Sequence, residues 1–79
     1  MRVEFFGVLE EIAGKSAMEL DIAENATVSD VLTRLSRDLP DLAPRLPRVA
    51  CAFGDELVSR SARVARDSVL VLLPPVSGG

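Results

Sequence analysis

The chain has 79 residues, 48% of them apolar and 27% charged, with a formal charge of −3 and neither repeats nor low-complexity stretches. That length and balance describe one folded domain with a modest aliphatic core, since the aromatics are limited to Phe5, Phe6 and Phe53. An acidic chain without a basic run has no means of replacing counterions along a phosphate backbone, which argues against nucleic acid as partner, and one cysteine without histidine leaves no zinc site and no histidine-based triad.

Met1-Arg2-Val3-Glu4 places an acid where a secretory signal would need an apolar run, and Val69 to Leu73 is too short to cross a bilayer. A cytoplasmic protein without membrane association is expected. Arg2 to Phe6 alternates, with Val3 and Phe5 inward and Arg2, Glu4 and Phe6 outward, so the chain opens on a half-buried strand. Val8 to Ala13 fits a helical turn that ends with Gly14 in the left-handed conformation. From Ala17 to Ile22 a second strand is expected to pair with the first, with Met18, Leu20 and Ile22 inward.

The main helix is expected to start at Thr27, whose hydroxyl accepts from the N–H of Asp30. Val28, Val31, Leu32, Leu35 and Leu39 recur at helical spacing and form one apolar stripe. Arg34 and Arg37 lie off it, Arg34 at a favourable four-residue distance from Asp30, and Pro40 stops the helix. Pro40 to Pro47, with three prolines, reads as a crossing loop. Val49 to Phe53 is a third strand, Gly54-Asp55 a tight turn, Glu56 to Ser59 a short fourth strand, and Arg66-Asp67-Ser68 another turn. Cys51, within the apolar run Val49 to Phe53, reads as a small core residue rather than a nucleophile.

Val69 to Leu73 is apolar at every position, as a central strand covered on both faces would be. One helix covers only one face of a small sheet. The other face, carrying Phe6 and the outward residues of the last strand, is therefore a candidate docking surface.

Beyond Leu73 the chain runs Pro74-Pro75-Val76-Ser77-Gly78-Gly79. Successive glycines without Cβ let a tail thread a narrow channel, and the prolines before them hold it extended. The chemistry this suggests lies in the main-chain carboxylate of Gly79, with residues 1–73 as the folded domain and 74–79 as a flexible tail. Eight of the nine basic residues are arginine, which leaves Lys15 as the one side-chain amine and makes a self-linked polymer a poor fit.

The order of elements, Phe5-Phe6 with Glu11-Ile12-Ala13-Gly14, Thr27-Val28, Leu57-Val58 and the terminal Pro-Pro-Val-Ser-Gly-Gly resemble the ubiquitin-like sulfur carriers, most closely the MoaD-like small subunit of molybdopterin synthase. The sequence departs from that pattern at Glu10, Gly54 and Leu73. The resemblance implies an α+β, ubiquitin-like β-grasp fold: a mixed sheet of four to five strands with one main helix across one face, the first and last strands being parallel neighbours. It implies that an adenylating enzyme resembling the ubiquitin activators uses ATP and Mg to activate Gly79, and that a sulfurtransferase then supplies the sulfur of a C-terminal thiocarboxylate. The large subunit of molybdopterin synthase takes that sulfur for a dithiolene. The carrier itself binds no cofactor or metal and is not an enzyme, and Phe6, Leu57, Leu73, Pro74, Pro75, Val76, Ser77 and Gly78 are its expected partner-binding residues. Thiamine synthesis or another thiolation route is an alternative destination for the sulfur. A protein modifier that joins Gly79 to target lysines is the alternative of a different class.

Overall fold

In a computed structural model, residues 1–75 are described. The expected tail therefore lies outside the described residues from Val76 to Gly79, while Pro74 and Pro75 lie within them. Five strands form one mixed sheet, β1 (Arg2–Phe5), β2 (Ala17–Glu19), β3 (Ala50–Phe53), β4 (Glu56–Val58) and β5 (Val69–Leu73), in the spatial order β2-β1-β5-β3-β4. β1 and β5 are parallel, and the other neighbours are antiparallel. Helices α1 (Val8–Ala13) and α2 (Val28–Asp38) complete the fold, with a 3-10 helix over Pro40–Arg48. This is the ubiquitin-like β-grasp arrangement, α+β in class.

The core forms where the inward residues of the sheet meet the stripe of α2. Val3, Phe5, Leu70 and Leu72 from the sheet and Val28, Val31 and Leu35 from the helix are all buried to within about 1%. Leu39, the last residue of the stripe, is partly buried against this cluster. The start of α2 is satisfied throughout. Asp30 N–H donates to Thr27 Oγ1 at 3.2 Å and Thr27 N–H to Asp30 Oδ2 at 2.9 Å, a reciprocal capping box. Val28 N–H and Ser29 N–H donate to the carbonyls of Ala62 and Arg60, both at 2.9 Å. The donors that a helix leaves open at its first turn are thus used to bind the 59–64 loop.

Several expectations need correction. The second strand stops at Glu19 rather than Ile22, because the β1 ladder runs out at Arg2↔Glu19 and pairing continues only through Leu20 N–H to Met1 O at 2.8 Å. Likewise the first strand ends at Phe5 rather than Phe6, the third starts at Ala50 rather than Val49, and the fourth ends at Val58 rather than Ser59. Pro40 to Pro47 is helical rather than a loop, since the proline φ near −65° also suits a 3-10 helix, and Leu42 and Leu46 fasten it to the core. Finally, Arg34 pairs with Asp38 at 2.9 Å and also donates to the Asp21 carbonyl at 3.2 Å, because the capping box already occupies the Asp30 carboxylate. Among the described residues no helix is long and apolar enough to cross a membrane.

Candidate functional site: the uncovered sheet face and the root of the tail

The strand register determines which residues share the face turned away from α2. Ala17, Glu4, Val71, Ala52 and Leu57 stand opposite one another in a row across all five strands. The next row toward the tail contains Leu73 opposite Ala50. Phe6 N–H donates to Leu72 O at 3.2 Å, which carries the parallel ladder one step past β1 and sets Phe6 beside Leu73. On the other side, Val69 stands opposite Arg2.

Phe6, Leu57 and Leu73 therefore share one face. Phe6 is 47% exposed and Leu57 69%, whereas Leu73 is half-buried. Strand spacing puts Leu57 about 12 Å from Leu73, two strands across and two residues along. Between them lie Ala50, Ala52 and Val71, and the two alanines keep the surface low. Val71 and Ala52 are buried, yet they stand apart from the core cluster beneath the helix. They form a small apolar layer of their own on the face that no helix covers. The patch is bounded on one side by the Arg2–Glu4 ion pair at 3.0 Å.

β5 leads out of this patch into Pro74 and Pro75, so the apolar face and the root of the tail adjoin. A hollow of about 300 Å³ beside Pro75 is lined by Pro44, Arg45 and Arg48. Neither arginine has an ion-pair partner among the described residues. Arg60, by contrast, is used structurally: its guanidinium donates to the carbonyls of Leu46 and Val49 at 2.8 and 3.0 Å.

The core face carries no chemistry of this kind. Cys51 is buried opposite Leu72, and burial pushes its thiol above the ordinary range, with Arg60 opposing the shift more weakly. An inert core residue is what such a thiol amounts to. Sequence reasoning placed Phe6 and Leu73 by alternation but had no parity for Leu57, because three residues of β4 show no period of their own. It also missed the arginines at the tail root, whose positions follow from the 3-10 helix that was read as a loop. Gly78 and Gly79, with Val76 and Ser77, lie outside the described residues.

A family model described as the ThiS family matches residues 3–79. Among solved structures, SAMP1 from Haloferax volcanii superposes with a TM-score of 0.86 at 29% identity, over 99% of this chain and 97% of that one. A putative molybdopterin converting factor subunit 1 from Pyrococcus furiosus gives 0.84 at 20% identity, over 95% of each chain. A chain of the complex of subunits 1 and 2 of molybdopterin-converting factor from Helicobacter pylori gives 0.69 at 24% identity, over 99% of this chain and 96% of that one. At those identities the last two establish likeness of fold. No curated protein matches the sequence.

Proposed function

This chain belongs to the ThiS family of ubiquitin-like sulfur carriers, and on that premise we propose that it delivers sulfur as a thiocarboxylate at Gly79 for dithiolene formation in molybdenum cofactor synthesis. The observation that carries the reading is the join between two features. The family match extends through Gly79, and the strand that leads to it borders an apolar sheet face that no helix covers among the described residues. A carboxylate is a poor electrophile. Attack of the Gly79 carboxylate on the α-phosphate of Mg-ATP, in the active site of an adenylating partner, releases pyrophosphate and leaves an acyl adenylate with AMP as a good leaving group. A sulfur donor displaces the AMP, and the resulting thiocarboxylate gives up its sulfur in the active site of a large synthase subunit. The carrier's residues supply recognition and reach, with Phe6, Leu57 and Leu73 docking and residues 74–79 presenting the terminus. General acids and bases belong to the partners. The subunit 1 and 2 complex from Helicobacter pylori supports a large-subunit partner of this kind.

Intact mass tests the reading. With an adenylating enzyme, ATP and a sulfur source, wild-type protein should gain the mass of one oxygen replaced by sulfur. Deletion of Gly79 should abolish that gain and leave the thermal midpoint unchanged. A wild-type chain that is never adenylated, or a truncation that unfolds the domain, would overturn it. The likeness to SAMP1, which another solved structure from Haloferax volcanii describes as a small archaeal modifier protein, supports a second reading in which Gly79 forms isopeptide bonds with target lysines. Covalent adducts on many proteins would favour that reading, whereas co-purification of a pterin-binding large subunit favours the first.

A further inference from the structure

Gly7 and Pro74 meet where the parallel ladder ends. Phe5 is paired with Leu72, and Phe6 N–H makes the last bond, to Leu72 O at 3.2 Å. One step further the register brings Gly7 against Pro74, and proline has no N–H with which to continue the ladder. The two chains nevertheless stay in contact. A Cβ on Gly7 would lie 2.9 Å from Pro74 Cγ, closer than real Cβ atoms come, and 3.7 Å from Pro74 Cδ, an ordinary contact. Gly7 also holds φ 58° and ψ −135°, a combination that L side chains rarely adopt. Gly14 and Gly54 share the positive φ but have nothing within 4 Å of a built Cβ. Among these three glycines only Gly7 is required by the space beside it as well as by its angles.

Gly7 has little freedom to yield. Its carbonyl accepts from Glu10 N–H and that of Phe6 accepts from Leu9 N–H, both at 3.1 Å, and Leu9 is fully buried in the core. The ring of Pro74 therefore rests on a fixed piece of backbone. We propose that Gly7 is a positioning residue: by letting the Pro74 ring lie against its backbone it sets the direction in which the chain leaves β5 toward Gly79. The consequence for activity rests on the sulfur-carrier reading, but the effect on direction does not. Pro74 and Pro75 each have a restricted φ, so a direction set at Pro74 persists through Pro75. The adjacent residues Phe6 and Gly7 thus provide the proposed docking side chain and the seat of the Pro74 ring, which couples where the partner grips to the direction of Pro74 and Pro75.

The test is a double-mutant cycle of Gly7→Ala and Pro74→Ala with two readouts. On the isolated protein, the Cα–Hα residual dipolar couplings of Pro74 and Pro75 should change in Gly7→Ala while those of β3 and β4 stay as in wild type. In adenylation by the activating enzyme, Gly7→Ala should lower kcat/KM about tenfold or more, mainly through kcat, since a small misplacement of a reacting group is costly. In the Pro74→Ala background the same Gly7→Ala change should cost less than about twofold, because the ring it displaces is gone. Should Gly7→Ala fail to fold, Pro74→Gly removes the ring without touching β1 or α1 and should alter the Pro75 couplings in the same way. Equal loss in both backgrounds, or unaltered couplings at Pro74 and Pro75, would show that Gly7 serves only the start of α1 and would overturn the proposal. A wild-type protein that is not adenylated at all would count against the carrier reading, and the couplings would still decide the role of Gly7.

Discussion

Truncating Leu57 to alanine separates docking from folding more cleanly than any other change on the uncovered face. Leu57 stands on the edge strand β4 opposite Ala52, is 69% exposed, and contributes nothing to the buried cluster under α2. Removing a side chain that is already mostly in water should cost the monomer less than about 0.5 kcal/mol, the usual range for surface substitutions. In a domain of this size that is a shift of roughly 2–4 °C in thermal midpoint. The cost in binding is larger. Fully burying a leucine side chain is worth about 1.5–3 kcal/mol, so covering the exposed two-thirds with a partner is worth about 1–2 kcal/mol. At 1.4 kcal/mol per decade, Leu57→Ala should weaken the complex about five- to thirty-fold. Phe6→Ala should weaken it by a similar factor, but with a greater drop in midpoint, because about half of that ring already packs against its own domain. Titration calorimetry against the large synthase subunit and a circular dichroism melt read the two effects apart. Unchanged affinity with the midpoint preserved would show that β4 lies outside the interface, and collapse of the fold would show that the exposure argument is wrong.

Thr27→Ala removes the hydroxyl that accepts from Asp30 N–H at 3.2 Å, and should destabilise the domain by about 1 kcal/mol, roughly 4–8 °C in midpoint. A melt indistinguishable from wild type would show that the bonds from Val28 and Ser29 suffice without the box. For Cys51, burial disfavours the thiolate in the folded state, so its stabilising contribution is complete below the ordinary thiol pKa of about 8.5 and is lost as pH rises through the raised folded value. Urea stability of wild type should accordingly decline more steeply above about pH 8.5 than that of Cys51→Ala, and native protein should react with a disulfide reagent far more slowly than unfolded protein. Parallel pH profiles, or equal reaction rates, would contradict the buried thiol.

Local signals made part of this fold legible before any tertiary contact was known. The alternation of Arg2 to Phe6 marks the inward pair Val3 and Phe5, the spacing of Val28, Val31, Leu32 and Leu35 marks the helix face, and Thr27 with Asp30 marks its start. Each depends on neighbours within a few positions, where periodicity and capping act directly. The uninterrupted apolar run of Val69 to Leu73 also announced a strand with neighbours on both sides, and β5 is the middle strand of the sheet. What tertiary structure decided depends on pairing between distant segments. Leu57 joins Leu73 on one face only because Ala52 is registered against both Leu57 and Val71. Arg34 turns to Asp38 because the Asp30 carboxylate is already bound at the helix start, and the proline-rich stretch becomes helical because Leu42 and Leu46 find room in the core. The contact of Gly7 with Pro74 joins residues 67 positions apart (74 − 7). No local pattern announces it, because it exists only where a parallel ladder brings the end of the first strand beside the end of the last.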